Sequence, residues 1–139
     1  MALSILQPVM ALVLLNCTML VWLYILRVPA VAKLGITLDP TLPRGQQMME
    51  LPPRVRWKAD NYNHLLEQPV LFYVVCMVMA ITGLGSDLNL QLAWAYVVLR
   101  VIHSLHQALW NHIMVRFSIF ALSSIILIVL AVRVALAIF

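Results

Sequence analysis

Charge is what this sequence has least of. Nine Lys and Arg and five Asp and Glu occur in 139 residues, 10% of the chain, against roughly 25% in a soluble domain. A water-facing globular surface cannot be covered at that density, so a soluble fold is excluded. Glycine is scarce as well. Gly35, Gly45, Gly83 and Gly85 are all there is, so the stretches between them carry no flexible break. No zinc motif, nucleotide-binding loop, repeat or low-complexity tract is present. A basic segment ahead of the first apolar run is also missing. The uncharged stretch from Met1 to Leu26 is long, which argues for a retained helix rather than a signal peptide. The two cysteines, Cys17 and Cys76, fall inside apolar runs and are expected to be buried, inert thiols.

What is present is hydrophobic: 64% of residues, with a mean hydropathy of +0.99, in four long runs. A bilayer core of about 30 Å takes about 20 apolar residues per helix. The expected fold is therefore all-α, a four-transmembrane-helix bundle. It forms a single domain over residues 1–139, with spans at about 5–33, 54–84, 88–110 and 116–138. Between the first two spans, Gly35, Pro40, Pro43, Gly45, Pro52 and Pro53 are too dense a set of breakers for a helix. Pro69 lies inside the second span, where it should bend the helix or free a carbonyl one turn back. Arg133, near the end of the fourth, can snorkel to the interface.

The net charge of +4 does not indicate nucleic acid. Arg27, Lys33, Arg44, Arg54, Arg56 and Lys58, six of the nine basic residues, lie in or beside the first loop. That asymmetry places loop 34–60 in the cytoplasm and both termini on the opposite side. It also allows contact with anionic membrane lipids.

Polar groups inside spans are costly and mark function by default. On the third span, Arg100, His103, Ser104, Gln107 and Asn111 share an arc of about 100°, while His106 projects elsewhere. On the second, Asp60, Asn63, His64 and Glu67 share a similar arc. Arg27 and Arg116 close the first span and open the fourth on the same side. The helical rise puts Glu67 roughly 27–30 Å from the far end of its span and Gln107 roughly 28 Å from that of its own. Arg100, at roughly 18 Å, lies about two turns deeper. Glu67 and Arg100 are expected to compensate each other, directly or through His103 or water. Three arginines against one intramembrane carboxylate leave an excess of buried cation, which calls for an anionic ligand. Four short helices enclose little interior, which favours an oligomer with sites between subunits.

These residues resemble a known family, the membrane-associated proteins in eicosanoid and glutathione metabolism (MAPEG). The likeness is carried by Asn63-His-Leu-Leu-Glu67-Gln-Pro69-Val-Leu-Phe72 and by Arg100-Val-Ile-His103 with Arg116 sixteen residues after Arg100. The four spans and the basic first loop match as well. The phrase from Asp60 to Tyr73 is most similar to bacterial branches, which implies a bacterial inner membrane. The resemblance implies a homotrimer binding glutathione between subunits near the cytoplasmic side, with no metal. It implies a glutathione-dependent transferase or peroxidase acting on a lipophilic electrophile or hydroperoxide. Arg27, Asn63, His64, Glu67, Arg100, His103, Gln107 and Arg116 would bind glutathione. Arg116, with Arg100 or Ser118 nearby, would stabilise the thiolate, although Ser118 also suits a helix-start hydroxyl. This chain departs from the family in four places, one of them a helix-two arginine of the family replaced by Asn63 or Asp60. Gln107 stands where several relatives have tyrosine, the Asn63–Glu67 spacing is four rather than three, and Pro69 follows Glu67 by only two.

Other functions fit less well. A non-catalytic ligand-binding or scaffold protein of the same fold suits Gln107. A proton-coupled exporter needs a carboxylate in its first span, and there is none. A haem site on His103 and His106 needs both rings in one cavity, and the two point apart.

Overall fold

Backbone in hydrocarbon must satisfy its own N–H and C=O groups, so apolar runs of this length close on themselves as helices. The computed structural model describes residues 3–139. It contains α1 (Leu6–Leu34), α2 (Pro53–Leu65), α3 (Pro69–Thr82), α4 (Asp87–Leu109) and α5 (Ile113–Ile138). Short 3-10 turns occur at Leu3–Ile5 and Gln47–Glu50, and there is no strand among the described residues. Four helical segments are long and apolar enough to cross a membrane: Leu3–Leu34, Pro53–Thr82, Asp87–Leu109 and Ile113–Ile138. The last begins three residues ahead of the expected Arg116. The turn before it is tight, closed by Asn111 in the left-handed region at φ 56°.

The second span is interrupted. Pro69 has no N–H to give Leu65, so α2 stops there and Leu66–Gln68 form a turn before α3 starts. Within the turn Leu66 N–H donates to Asn63 O at 3.0 Å and Glu67 N–H to His64 O at 3.3 Å. The proline leaves Leu65 O without its helical donor, and the turn it forces re-pairs the neighbouring His64 O, which the site uses.

Two hydrogen bonds fix which ends lie together. Ser4 Oγ donates to Gly85 O at 3.1 Å, and Arg133 Nε donates to Asn89 Oδ1 at 2.6 Å. The start of α1, the α3–α4 turn and the end of α5 therefore share one end. The 35–52 loop and the α4–α5 turn share the other. Gly83 ends α3 at φ 78° with nothing within 4 Å of where a Cβ would sit. The cost of Gly83→Ala is thus backbone strain alone. Unfolding in detergent should show a loss of about 1 kcal/mol.

The apolar core fills the first of these ends: Ile5, Val9 and Leu12 of α1, Phe72, Cys76 and Met79 of α3, Ala93, Tyr96 and Val97 of α4, and Leu127, Leu130 and Val134 of α5. Phe72 and Tyr96 stack at 4.4 Å between ring centres. Cys76 is buried as expected, but Cys17 is exposed on the outer face of α1. It sits on the side of that helix opposite the Leu12–Met19–Leu23 stripe that packs inward. The outer faces carry Leu14, Val21, Ile25, Val70, Ile81, Ile125 and Ile128, all well exposed in the protomer. Such surfaces are stable only against lipid or a neighbouring subunit.

Candidate functional site

The inward stripe of α4 changes character halfway along. Ala93, Tyr96 and Val97 face the apolar core; the next residues on the same stripe are Arg100, His103, Ser104 and Gln107, all buried. Burial on one helical face at this spacing puts four polar side chains against α2 and α5 at the loop end of the bundle. α2 answers with Asn61, fully buried, whose Oδ1 accepts from Ser104 Oγ at 3.0 Å.

Arg100 is completely enclosed in the protomer. Its Nη1 reaches Gln68 Oε1 at 3.5 Å and its Nη2 reaches His64 O at 3.4 Å, both long. In an unbroken helix His64 O would be taken by the Gln68 N–H; in the turn ahead of Pro69 it accepts from Glu67 N–H and from Arg100 instead. Aromatic faces supply the rest of its surroundings, with Tyr96 at 5.9 Å and Phe120 at 5.7 Å. Gln68 is anchored from α5, donating to Ser124 Oγ at 2.7 Å while its Oε1 also accepts from Tyr96 OH at 3.3 Å.

The expected direct compensation between Glu67 and Arg100 is not what the structure has. The turn at Leu66–Gln68 swings Glu67 outward, where its side chain is 72% exposed and its Oε2 lies 3.6 Å from His64 Nδ1. Gln68 takes the inward place. The connection runs through His64 instead, whose ring lies 5.0 Å from that of His103 and 5.1 Å from that of Phe120.

Above this layer is a recess of about 370 Å³ lined by Asp60, Asn63, His64, Glu67, Gln107 and Arg116. Glu67 and Gln107 border it together. Arg116 is half-buried and donates from Nη1 to Asn111 Oδ1 at 2.6 Å, a neutral partner. Four buried polar atoms beside or beneath the recess have no hydrogen-bond partner: Asn61 Nδ2, Arg100 Nε, His103 Nδ1 and Gln107 Oε1. Native interiors leave few such atoms, so this layer has hydrogen-bonding capacity that the protomer itself does not use. Both charge signs are present, so a zwitterionic ligand suits the lining better than a simple anion.

A profile of the MAPEG family matches residues 5–136. The chain belongs to the MAPEG family. No curated protein and no solved structure matches it.

In this MAPEG chain, Asn63, His64, Glu67, Gln107 and Arg116 come together on one recess. Arg100 and His103 lie beneath rather than on it, and Arg27 is elsewhere. Arg27 lines a second cavity of about 730 Å³ under the first loop, which shares only Asp60 and Asn63 with the recess. Ser118 Oγ donates back to Met114 O at 2.9 Å, the bond of a serine within a helix rather than of a helix-start hydroxyl, and it does not line the recess. His106 faces away, its ring 5.8 Å from Trp110 and 5.4 Å from His112, so it shares no cavity with His103. No cluster of His, Cys, Asp and Glu able to hold a metal occurs among the described residues. Asn61 and Gln68 were not singled out from the sequence. Their spacing with His64 places all three on one helical face, a signal that an assumed continuous helix with Glu67 inward conceals.

Proposed function

We propose that the protein is a membrane-embedded glutathione-dependent transferase or peroxidase acting on a lipophilic electrophile or hydroperoxide. The observation that carries this reading is the recess where Arg116, His64, Asn63, Gln107 and Glu67 converge over a layer of unpartnered buried polar atoms. Family membership supports the same class of activity. Glutathione has two carboxylates, one amine and one thiol. Arg116 offers a planar fork to an oxygen anion or positive charge to a thiolate. Glu67 offers a carboxylate to the amine. His64, held by Glu67, is a base within the same recess for the thiol proton. The thiolate then forms a carbon–sulfur bond with an electrophile as the leaving group departs, or attacks the terminal oxygen of a hydroperoxide, breaking the O–O bond; the alcohol leaves with the proton from His64, and a second glutathione reduces the sulfenic acid to the disulfide and water. An apolar second substrate would arrive from the bilayer.

The recess opens outward past the exposed Asn63 and Glu67, which supports a site completed by a neighbouring subunit in a homotrimer. The basic first loop supports a cytoplasmic placement of this end. A non-catalytic ligand-binding protein is favoured by one observation: Gln107, buried with a free Oε1, brings no hydroxyl to a thiol. Titrating the purified protein with glutathione separates the two. Saturable binding with growth of thiolate absorbance is expected; saturable binding without thiolate would select the non-catalytic reading, and no binding would end the glutathione-dependent one.

A further inference from the structure

The larger cavity plays no part in the chemistry above. It lies between the 36–51 loop and the loop ends of α1 and α2, and it holds about 730 Å³. The loop that roofs it is braced by its own side chains. Asp39 N–H donates to Gln47 Oε1 at 3.1 Å, and Gln47 Nε2 donates back to Asp39 O. Thr41 donates to Asp39 Oδ1 from its backbone N–H at 2.8 Å and from its hydroxyl at 2.6 Å. Those two bonds, the hydroxyl first, hold the Asp39 carboxyl below its ordinary pKa, and they keep that oxygen occupied. The cavity is therefore a built space rather than a fold of slack chain.

Its lining combines three guanidinium groups with two carboxylates, Asp39, whose Oδ1 Thr41 occupies, and Asp60 at the rim, and with apolar side chains. Arg27, Arg44 and Arg56 all contribute. None of them has a carboxylate within 4.0 Å, the His64–Glu67 contact being the only such pair among the described residues. Arg56 Nη1 meets Met49 Sδ at 3.5 Å, and its Nε is buried with no partner. Leu42, Met48 and Val55 line the same space. Three guanidinium groups against two carboxylates, none in contact with either, leave a net positive, partly apolar pocket at the end of membrane-spanning helices, where lipid headgroups lie, and their planar forks match phosphate and carboxylate.

We propose that this cavity binds the anionic headgroup of an amphiphile, a phosphate or a carboxylate held by Arg27, Arg44 and Arg56, with the start of its apolar stem along Leu42, Met48 and Val55. Occupancy would pin the loop to α1 and α2 and so set the rim at Asp60 and Asn63, which both cavities share.

The test is quenching of tryptophan fluorescence, with Trp57 beside Arg56 and Trp22 on α1 as reporters, in phosphatidylcholine nanodiscs. Brominated phosphatidylglycerol at a tenth of the lipid should quench more than brominated phosphatidylcholine at the same fraction. Alternatively, added dodecyl phosphate should displace a bound brominated amphiphile. The first outcome identifies a bilayer lipid and the second a free amphiphile. Arg44→Gln with Arg56→Gln should weaken the effect at least tenfold, with an unchanged circular dichroism spectrum. Equal quenching by the two lipids with no effect of dodecyl phosphate would overturn the proposal. So would displacement by inorganic phosphate as potent as by dodecyl phosphate, or displacement by glutathione. Because no step needs glutathione, this result is independent of the function proposed above.

Discussion

Arg116→Ala is expected to lower glutathione-dependent turnover about 100-fold, the loss typical when one preorganised charge at a developing anion is removed; that is about 2.7 kcal/mol of transition-state stabilisation. Arg116 is half-buried on the recess, and its one hydrogen-bond partner is the neutral Asn111 Oδ1. No carboxylate among the described residues lies within 4.0 Å to neutralise it. The fold loses little with the side chain. One hydrogen bond at the α4–α5 turn is worth about 1 kcal/mol, and the backbone bond from Arg116 N–H to His112 O stays. Turnover of a chloronitrobenzene electrophile, thiolate absorbance and the unfolding midpoint, measured on one preparation, separate the two effects. Arg116→Lys keeps the charge but not the fork, and should recover part of the thiolate signal and less of the affinity. An alanine variant with undiminished turnover would remove Arg116 from the chemistry.

The sequence displays the four spans because hydropathy over 20 residues averages out local detail, and the bilayer permits few other solutions. The polar stripe of α4 is legible for a related reason. Arg100, His103, Ser104 and Gln107 recur at helical spacing in an unbroken helix, and all four are buried. The second span is where periodicity misleads. Two overlapping arcs are available there, Asp60–Asn63–His64–Glu67 and Asn61–His64–Gln68, and charge points to the first; the structure turns Glu67 outward and Gln68 inward. Asn61 lies beside the Asp60–Asn63–His64–Glu67 arc rather than within it, although its buried contact with Ser104 joins α2 to α4. Arg27 shows a different limit. Depth along a helix places it level with the site, but which cavity it lines depends on how the 36–51 loop folds over α1 and α2, and no periodicity encodes that.

Arg100→Met is expected to separate stability from function in opposite directions. Arg100 is fully enclosed, has only long hydrogen bonds to neutral acceptors and has no carboxylate within 4.0 Å. Its desolvation is therefore poorly compensated, and an apolar side chain of similar length should be neutral or should stabilise the fold by about 1–4 kcal/mol. Neither acceptor is orphaned by the change. Gln68 Oε1 keeps the Tyr96 hydroxyl and His64 O keeps the Glu67 N–H, so the usual penalty for stranding a buried partner does not arise. The positive charge beneath the recess disappears, however. In a partly buried setting that attraction amounts to about 1–2 kcal/mol, roughly tenfold in the affinity for an anionic ligand. Thermal unfolding in detergent and glutathione titration, run side by side, read the two terms. A higher or equal midpoint with weakened binding means that the charge is held at a thermodynamic cost for the ligand. A midpoint that drops sharply while binding is unchanged would instead make Arg100 the fastener between α2, α4 and α5, with no part in ligand recognition.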